Sequence, residues 1–217
     1  ILTDLLPMKV TVLGAGSFGT ALAKVLAENN HDVSIWSHSS DHVESINKRN
    51  RNSAYLPEIH LPESISAMTD KKDALQNSEL VVSALPTQIS SSVWQEIVPL
   101  LPESASVVVA SKGIEKKTHR LVSDIFFDLL PGEENKKRIT FLSGPSFAKE
   151  VAMQIPTVIV IAGCDKDEIK RMQQAFHTSY FRVYGSNDVI GVEIAGALKN
   201  VIAIGTGISD GLEYGLN

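Results

Sequence analysis

The chain has 217 residues, a net charge of −5, 43% hydrophobic residues and 21% charged ones. A globular chain of this length buries roughly 70% of the surface it exposes when unfolded. The apolar content suffices for that, which excludes intrinsic disorder, collagen and coiled coil. Mild acidity argues against a nucleic-acid partner, since the basic clusters at Lys116-Lys117 and Lys136-Lys137-Arg138 each lie near acids and form no stripe.

Residues 1–7, ahead of Met8, lack the basic start and apolar core of a signal peptide and read as an N-terminal extension. Residues 9–13 (KVTVL) form a strand candidate, and Gly14-Ala15-Gly16-Ser17-Phe18-Gly19 follows directly and opens a helix that runs to about Asn29. Alone, G-x-G-x-x-G is weak; between a strand and a helix it is a dinucleotide-binding fingerprint. Gly14 permits the tight turn, Gly16 lets backbone approach a pyrophosphate, and Gly19 brings helix and strand together. The helix N-terminus adds amide hydrogens and a partial positive charge, and Ser17 and Phe18 lie against the cofactor.

The next strand, residues 33–36, ends in Trp36-Ser37-His38-Ser39 with no acid to take a ribose 2′-hydroxyl. A histidine among serines can accept a 2′-phosphate, so NADPH is favoured over NADH; the alternative is that His38 merely begins the following helix. His38 and His42 are four apart with no Glu between them. The six histidines thus show no helical zinc spacing, and no metal is assigned.

Runs at 80–84, 106–110, 139–142 and 157–161 are continuous and apolar, as strands buried on both faces of a parallel sheet are. Helical stretches lie near 71–77, 88–98, 118–130 and 166–176, so strand and helix alternate. The expected fold is α/β, a Rossmann-like doubly wound parallel sheet over residues 8–186. Ligands of such sheets bind at the carboxyl ends of strands, where Ser111-Lys112-Gly113 and Ser143-Gly144-Pro145-Ser146 stand. The single cysteine, Cys164, allows no intramolecular disulfide, and the expected location is cytoplasmic.

After Tyr184 the pattern changes. A Gly/Ala-rich helix over 189–208 contains Glu193, Lys199 and Asn200. Charges near the centre of a membrane span cost about 2.5–3.5 kcal/mol each, so a buried soluble helix is expected there and no membrane span. Its glycines call for close packing against a partner. Residues 187–217 then read as the first helix of an incomplete all-α C-terminal domain.

Several of these segments resemble one family, the NAD(P)-dependent glycerol-3-phosphate dehydrogenases of bacterial type. They are GAGSFGTALA at 14–23, SKG at 111–113, SGPSFAKE at 143–150, FRVY at 181–184, GVE at 191–193 and ALKNVIAIG at 197–205. The resemblance runs from Met8 to Asn217. It implies that Ser17, Phe18 and His38 contact the dinucleotide with Ala148 beside it, that Lys112 touches cofactor and substrate, and that Gly144 and Ser146 hold sn-glycerol 3-phosphate. It also implies that Lys199 is the proton acceptor, and it selects Lys199 over Glu193. The implied activity is hydride transfer between NAD(P)H and dihydroxyacetone phosphate, for phospholipid synthesis. A small-molecule phosphate is the expected partner, and a homodimer the expected assembly. Two other readings stand beside it: a non-catalytic dinucleotide-binding sensor on the same fold, and a serine hydrolase with Ser146 as nucleophile and Asp165 and His177 in chain order.

Overall fold

The computed structural model describes residues 6–215. Residues 1–5 of the expected extension lie outside the described residues, and Leu6 and Pro7 are exposed. The fold begins at Met8, whose side chain is buried and whose N–H donates to His31 Nδ1 at 3.1 Å.

Eight strands form one sheet: β1 (Lys9–Leu13), β2 (Asp32–Trp36), β3 (Ser66–Met68), β4 (Leu80–Ser83), β5 (Ser106–Val109), β6 (Ile139–Ser143), β7 (Thr157–Gly163) and β8 (Phe181–Ser186). The order is β3-β2-β1-β4-β5-β6-β7-β8, and the first six strands run parallel. The chain winds outward from β1 to β3 and returns to β4, so the strand order reverses between β1 and β4. That crevice is where a doubly wound sheet leaves room for a ligand.

The continuous apolar runs are explained by burial on both faces. In β4 and β5, Leu80, Val82 and Val108 face one layer with Leu22, Leu26 and Phe176. Val81, Val107 and Val109 face the other, with Trp94 and Phe126. The covering helices on the first face are α1 (Ser17–Glu28) and α8 (Lys166–Phe176); on the second they are α4 (Thr87–Ile97) and α5 (Val122–Leu129). The other helices before the last are α2 (Ser40–Arg49), α3 (Lys71–Leu75), α6 (Glu133–Lys137) and α7 (Ala148–Ala152).

Two features depart from the sequence expectation. The sheet is not wholly parallel, because β7 runs antiparallel to β6 and β8 follows β7. The connection from β6 to β7 contains only α7, which packs on α1 instead of crossing the sheet, so β7 returns alongside β6. The edge strands β3 and β8 are also additional: β3 has three residues, too few for a periodic signal, and β8 alternates buried Phe181 and Val183 with exposed Arg182 and Tyr184.

The last helix, α9 (Val189–Gly211), is longer than expected and is not buried. Asp188 caps it by accepting from Gly191 N at 2.8 Å. Val189 reaches the core, and Gly196 passes so near β6 that a Cβ there would lie 2.6 Å from Ser143 Oγ. Beyond Lys199 the helix stands free: Val201, Ile202, Ile204 and Ile208 are exposed, and a Cβ on Gly205 or Gly207 would meet nothing within 4 Å. Close packing therefore accounts for Gly196, and the Asp188 cap for Gly191, where a Cβ would lie 2.2 Å from Asp188 Oδ2, but not for Gly205 or Gly207. By length and composition alone, α9 is also long and apolar enough to cross a membrane.

Candidate active site

At the carboxyl end of β1 the glycine turn is built from three different constraints. Gly14 has φ +113, in the left-handed region, and a Cβ there would press on Ala84 O at 3.0 Å. At Gly19 a Cβ would lie 2.0 Å from Gly14 O, so strand and helix can approach only through glycine. Gly16 differs. A Cβ there would meet nothing within 4 Å, and Gly16 begins α1 with no side-chain cap. The first turn of α1 thus offers its amide hydrogens to open space, the arrangement that receives a pyrophosphate.

From this turn a groove of ≈ 450 Å³ runs across the β1–β4 crevice, lined by Gly14, Gly16, Phe18, His38, Leu85 and Lys112, among others. Among the described residues, no Asp or Glu lines it. His38 is exposed and borders the groove just ahead of α2, whose cap is Ser39. Ser37 also lines the groove but is buried, and its hydroxyl accepts from Ser39 N at 3.2 Å, which holds the turn ahead of α2. Ser17 and Ala148 line a neighbouring cavity of ≈ 390 Å³, which meets the groove at Tyr55. Tyr55, with His42 packed edge-on at 5.2 Å, had no signal in the sequence: its loop closes locally through the Asn52–Leu56 bridge and is brought here by Asn52, whose side-chain amide donates to Ala15 O at 2.7 Å.

Lys112 stands at the inner end of the groove. Its Nζ donates to Gly144 O at 3.0 Å and to Ser146 Oγ at 3.2 Å, and lies 4.8 Å from the centroid of the Phe18 ring. Thr87 fixes its backbone by donating to Lys112 O at 2.8 Å. Burial, and then the charge of Lys199, pushes the Lys112 pKa down to about 8. Lys112 also forms one wall of a second cavity of ≈ 240 Å³, shared with Gly144, Pro145, Gly196 and Lys199. Lys199 Nζ lies 4.7 Å from the ring centroid of Phe147, which is exposed. The structure thus gathers Lys112, Gly144 and Lys199 around one space, with Ser146 reaching it only through its hydrogen bond to Lys112.

The hydrolase reading fails here. Asp165 caps the start of α8 and His177 ends it, roughly 18 Å apart at 1.5 Å per residue. Ser146 is buried, with Lys112 and Gly144 as partners.

The family model for the NAD-dependent glycerol-3-phosphate dehydrogenase N-terminus matches residues 9–169, and that for the C-terminus matches residues 188–217. The chain belongs to the NAD-dependent glycerol-3-phosphate dehydrogenase family. It is 44% identical over 210 residues to the glycerol-3-phosphate dehydrogenase [NAD(P)+] of Leptospira biflexa, covering 97% of this chain and 63% of that protein. The Lysinibacillus sphaericus enzyme of the same name is 46% identical over 209 residues, covering 96% and 62%. The crystal structure of glycerol-3-phosphate dehydrogenase from Coxiella burnetii superposes with a TM-score of 0.85 at 36% identity, over 96% of this chain and 63% of that one. The chain therefore spans a little under two thirds of the length of these relatives. The family uses NAD(P), and the open glycine turn and carboxylate-free groove fit that cofactor.

Proposed function

We propose that the protein interconverts dihydroxyacetone phosphate and sn-glycerol 3-phosphate with NAD(P)H, making a backbone precursor of phospholipids. The observation that supports this most is the cavity shared by Lys112 and Lys199 at the inner end of the dinucleotide groove. Gly14, Gly16 and Gly19 would hold the cofactor pyrophosphate, with Ser17, Phe18, His38 and Ala148 around the rest. Bound there, the nicotinamide supplies a hydride acceptor or donor. Lys112 would bind both ligands, its ammonium facing the substrate with Gly144 and Ser146 at its side. Lys199 would hold the proton that the substrate oxygen gains or loses, a role typically worth 10²–10⁴-fold in rate.

Residues 8–186 form the dinucleotide-binding unit in this reading, and 187–217 the start of the helical substrate domain. The protein acts in the cytoplasm as a homodimer on a small phosphate ester. With no carboxylate on the groove and His38 at its edge, NADPH binds at least as well as NADH. Fluorescence titration with both cofactors, followed by dihydroxyacetone-phosphate-dependent oxidation of the tighter one, tests the reading. A preference for NADH above tenfold, about 1.4 kcal/mol, removes the 2′-phosphate assignment. No oxidation above background by the family-length protein removes the activity.

A further inference from the structure

Glu193 is a half-buried carboxyl that the proposed reaction leaves without a task. Its Oε1 accepts from Ser123 N at 2.9 Å, while Oε2 is buried and has no hydrogen-bond partner among the described residues. Burial pushes this carboxyl up, partly offset by Ser123, with Asp124 adding repulsion. A buried polar oxygen left unpaired is costly, and an apolar side chain would fill the place at less cost. Stability of α9 alone therefore does not explain it.

The partner explains more. Ser123 lies in the first turn of α5, and the residue at the cap position of that helix, Leu121, has no side-chain oxygen to offer. The helices α2, α3, α8 and α9 are capped by their own Ser39, Asp70, Asp165 and Asp188. In contrast, α5 takes its acceptor from a residue 70 positions further along the chain. The segment before α5 begins at Lys112-Gly113 and closes on itself through the Ile114–Leu121 bridge. Glu193, Ser111, Lys112 and Ser143 together line a small cavity under that turn. The helix that carries Lys199 is thus tied by a single carboxyl to the segment that carries Lys112.

We propose that Glu193 is a positioning residue, which by capping α5 from α9 fixes the separation of Lys112 and Lys199. The catalytic consequence rests on the dehydrogenase reading; the geometric tie does not, and the experiment separates the two. Reductive ¹³C-methylation of the full chain gives an NMR titration of each lysine, with Lys112 assigned by its loss in Lys112→Arg. With burial and Lys199 pushing its pKa down to about 8, Lys112 is expected to titrate there in the native protein. Glu193→Ala and Glu193→Asp, whose carboxyl is too short to reach Ser123, are expected to move that midpoint up towards 10.5, the ordinary lysine value. Glu193→Gln keeps an oxygen that can accept from Ser123 N and is expected to leave it in place.

In turnover assays the Ala and Asp variants are expected to lose about 10- to 100-fold in kcat, the usual scale for misplacing a reacting group. An unmoved Lys112 midpoint in both variants overturns the proposal, as does a Gln variant displaced as far as the Ala one. Should Glu193→Ala fail to fold, the Asp and Gln pair decides alone. Absence of turnover in the native protein would count against the dehydrogenase reading, while the titration would still decide on Glu193.

Discussion

The two ends of the sheet treat their polar groups in opposite ways. At the amino end they are paired. Met8 N donates to His31 Nδ1, which leaves the hydrogen on Nε2 to donate to Ala175 O at 3.2 Å. Lys9 N donates to Glu79 Oε2 at 3.0 Å, Arg138 donates to Ala105 O, and Arg171 donates to Ser106 Oγ at 2.8 Å. At the carboxyl end α1 starts without a side-chain cap, Gly16 faces open space, and Lys112 is held where its ammonium is disfavoured. One end closes the fold; the other keeps donors available for a ligand. Their sensitivities to mutation should differ accordingly.

The largest expected effect lies at the carboxyl end. Lys199→Met removes a proton carrier of similar length and should reduce turnover of the family-length protein by about 10²–10⁴-fold, with NADPH binding and thermal midpoint unchanged. Retention of more than a tenth of the rate at saturating substrate would leave Lys199 a packing residue and favour the sensor reading. Gly16→Ala comes next. Its Cβ would occupy open space, so the thermal midpoint should hold while NADPH binding weakens at least tenfold, about 1.4 kcal/mol. A drop in stability with normal binding would reverse the contrast between the two ends.

The smallest effect belongs to the amino end and concerns pH. Burial holds the His31 pKa below its ordinary value of 6.5, so the imidazole is neutral in the folded protein. Its contribution is present above pH 6.5 and lost as pH falls through the lower folded value, because the unfolded chain takes up the proton first. His31→Gln should cost about 1 kcal/mol near pH 7.5 and flatten the acid side of the stability curve. NADPH affinity should not change, and thermal melts across pH 5–8 with a binding titration at each end would check both. Weaker NADPH binding without a stability change would mean that the amino end is not merely structural.

Local sequence determined the strand cores and the glycine turn. Residues 9–13, 80–83 and 106–109 are apolar on both faces because helices cover both, and a buried strand needs no information beyond its own run. The three roles expected of Gly14, Gly16 and Gly19 follow from the missing Cβ atoms, a property each residue brings with it. Lys112 and Ser146 could be named from their strand ends, but their hydrogen bond joins two connections that meet only in the folded sheet. Tertiary structure alone decided the antiparallel turn to β7, the arrival of Tyr55 at the groove, the inward hydroxyl of Ser37 and the link from Glu193 to Ser123. Each depends on a partner distant in sequence or on the side of a turn that faces the core. It also decided that α9 is buried only at its start: composition makes it apolar along its length, but β6, β7 and α5 reach only its first part.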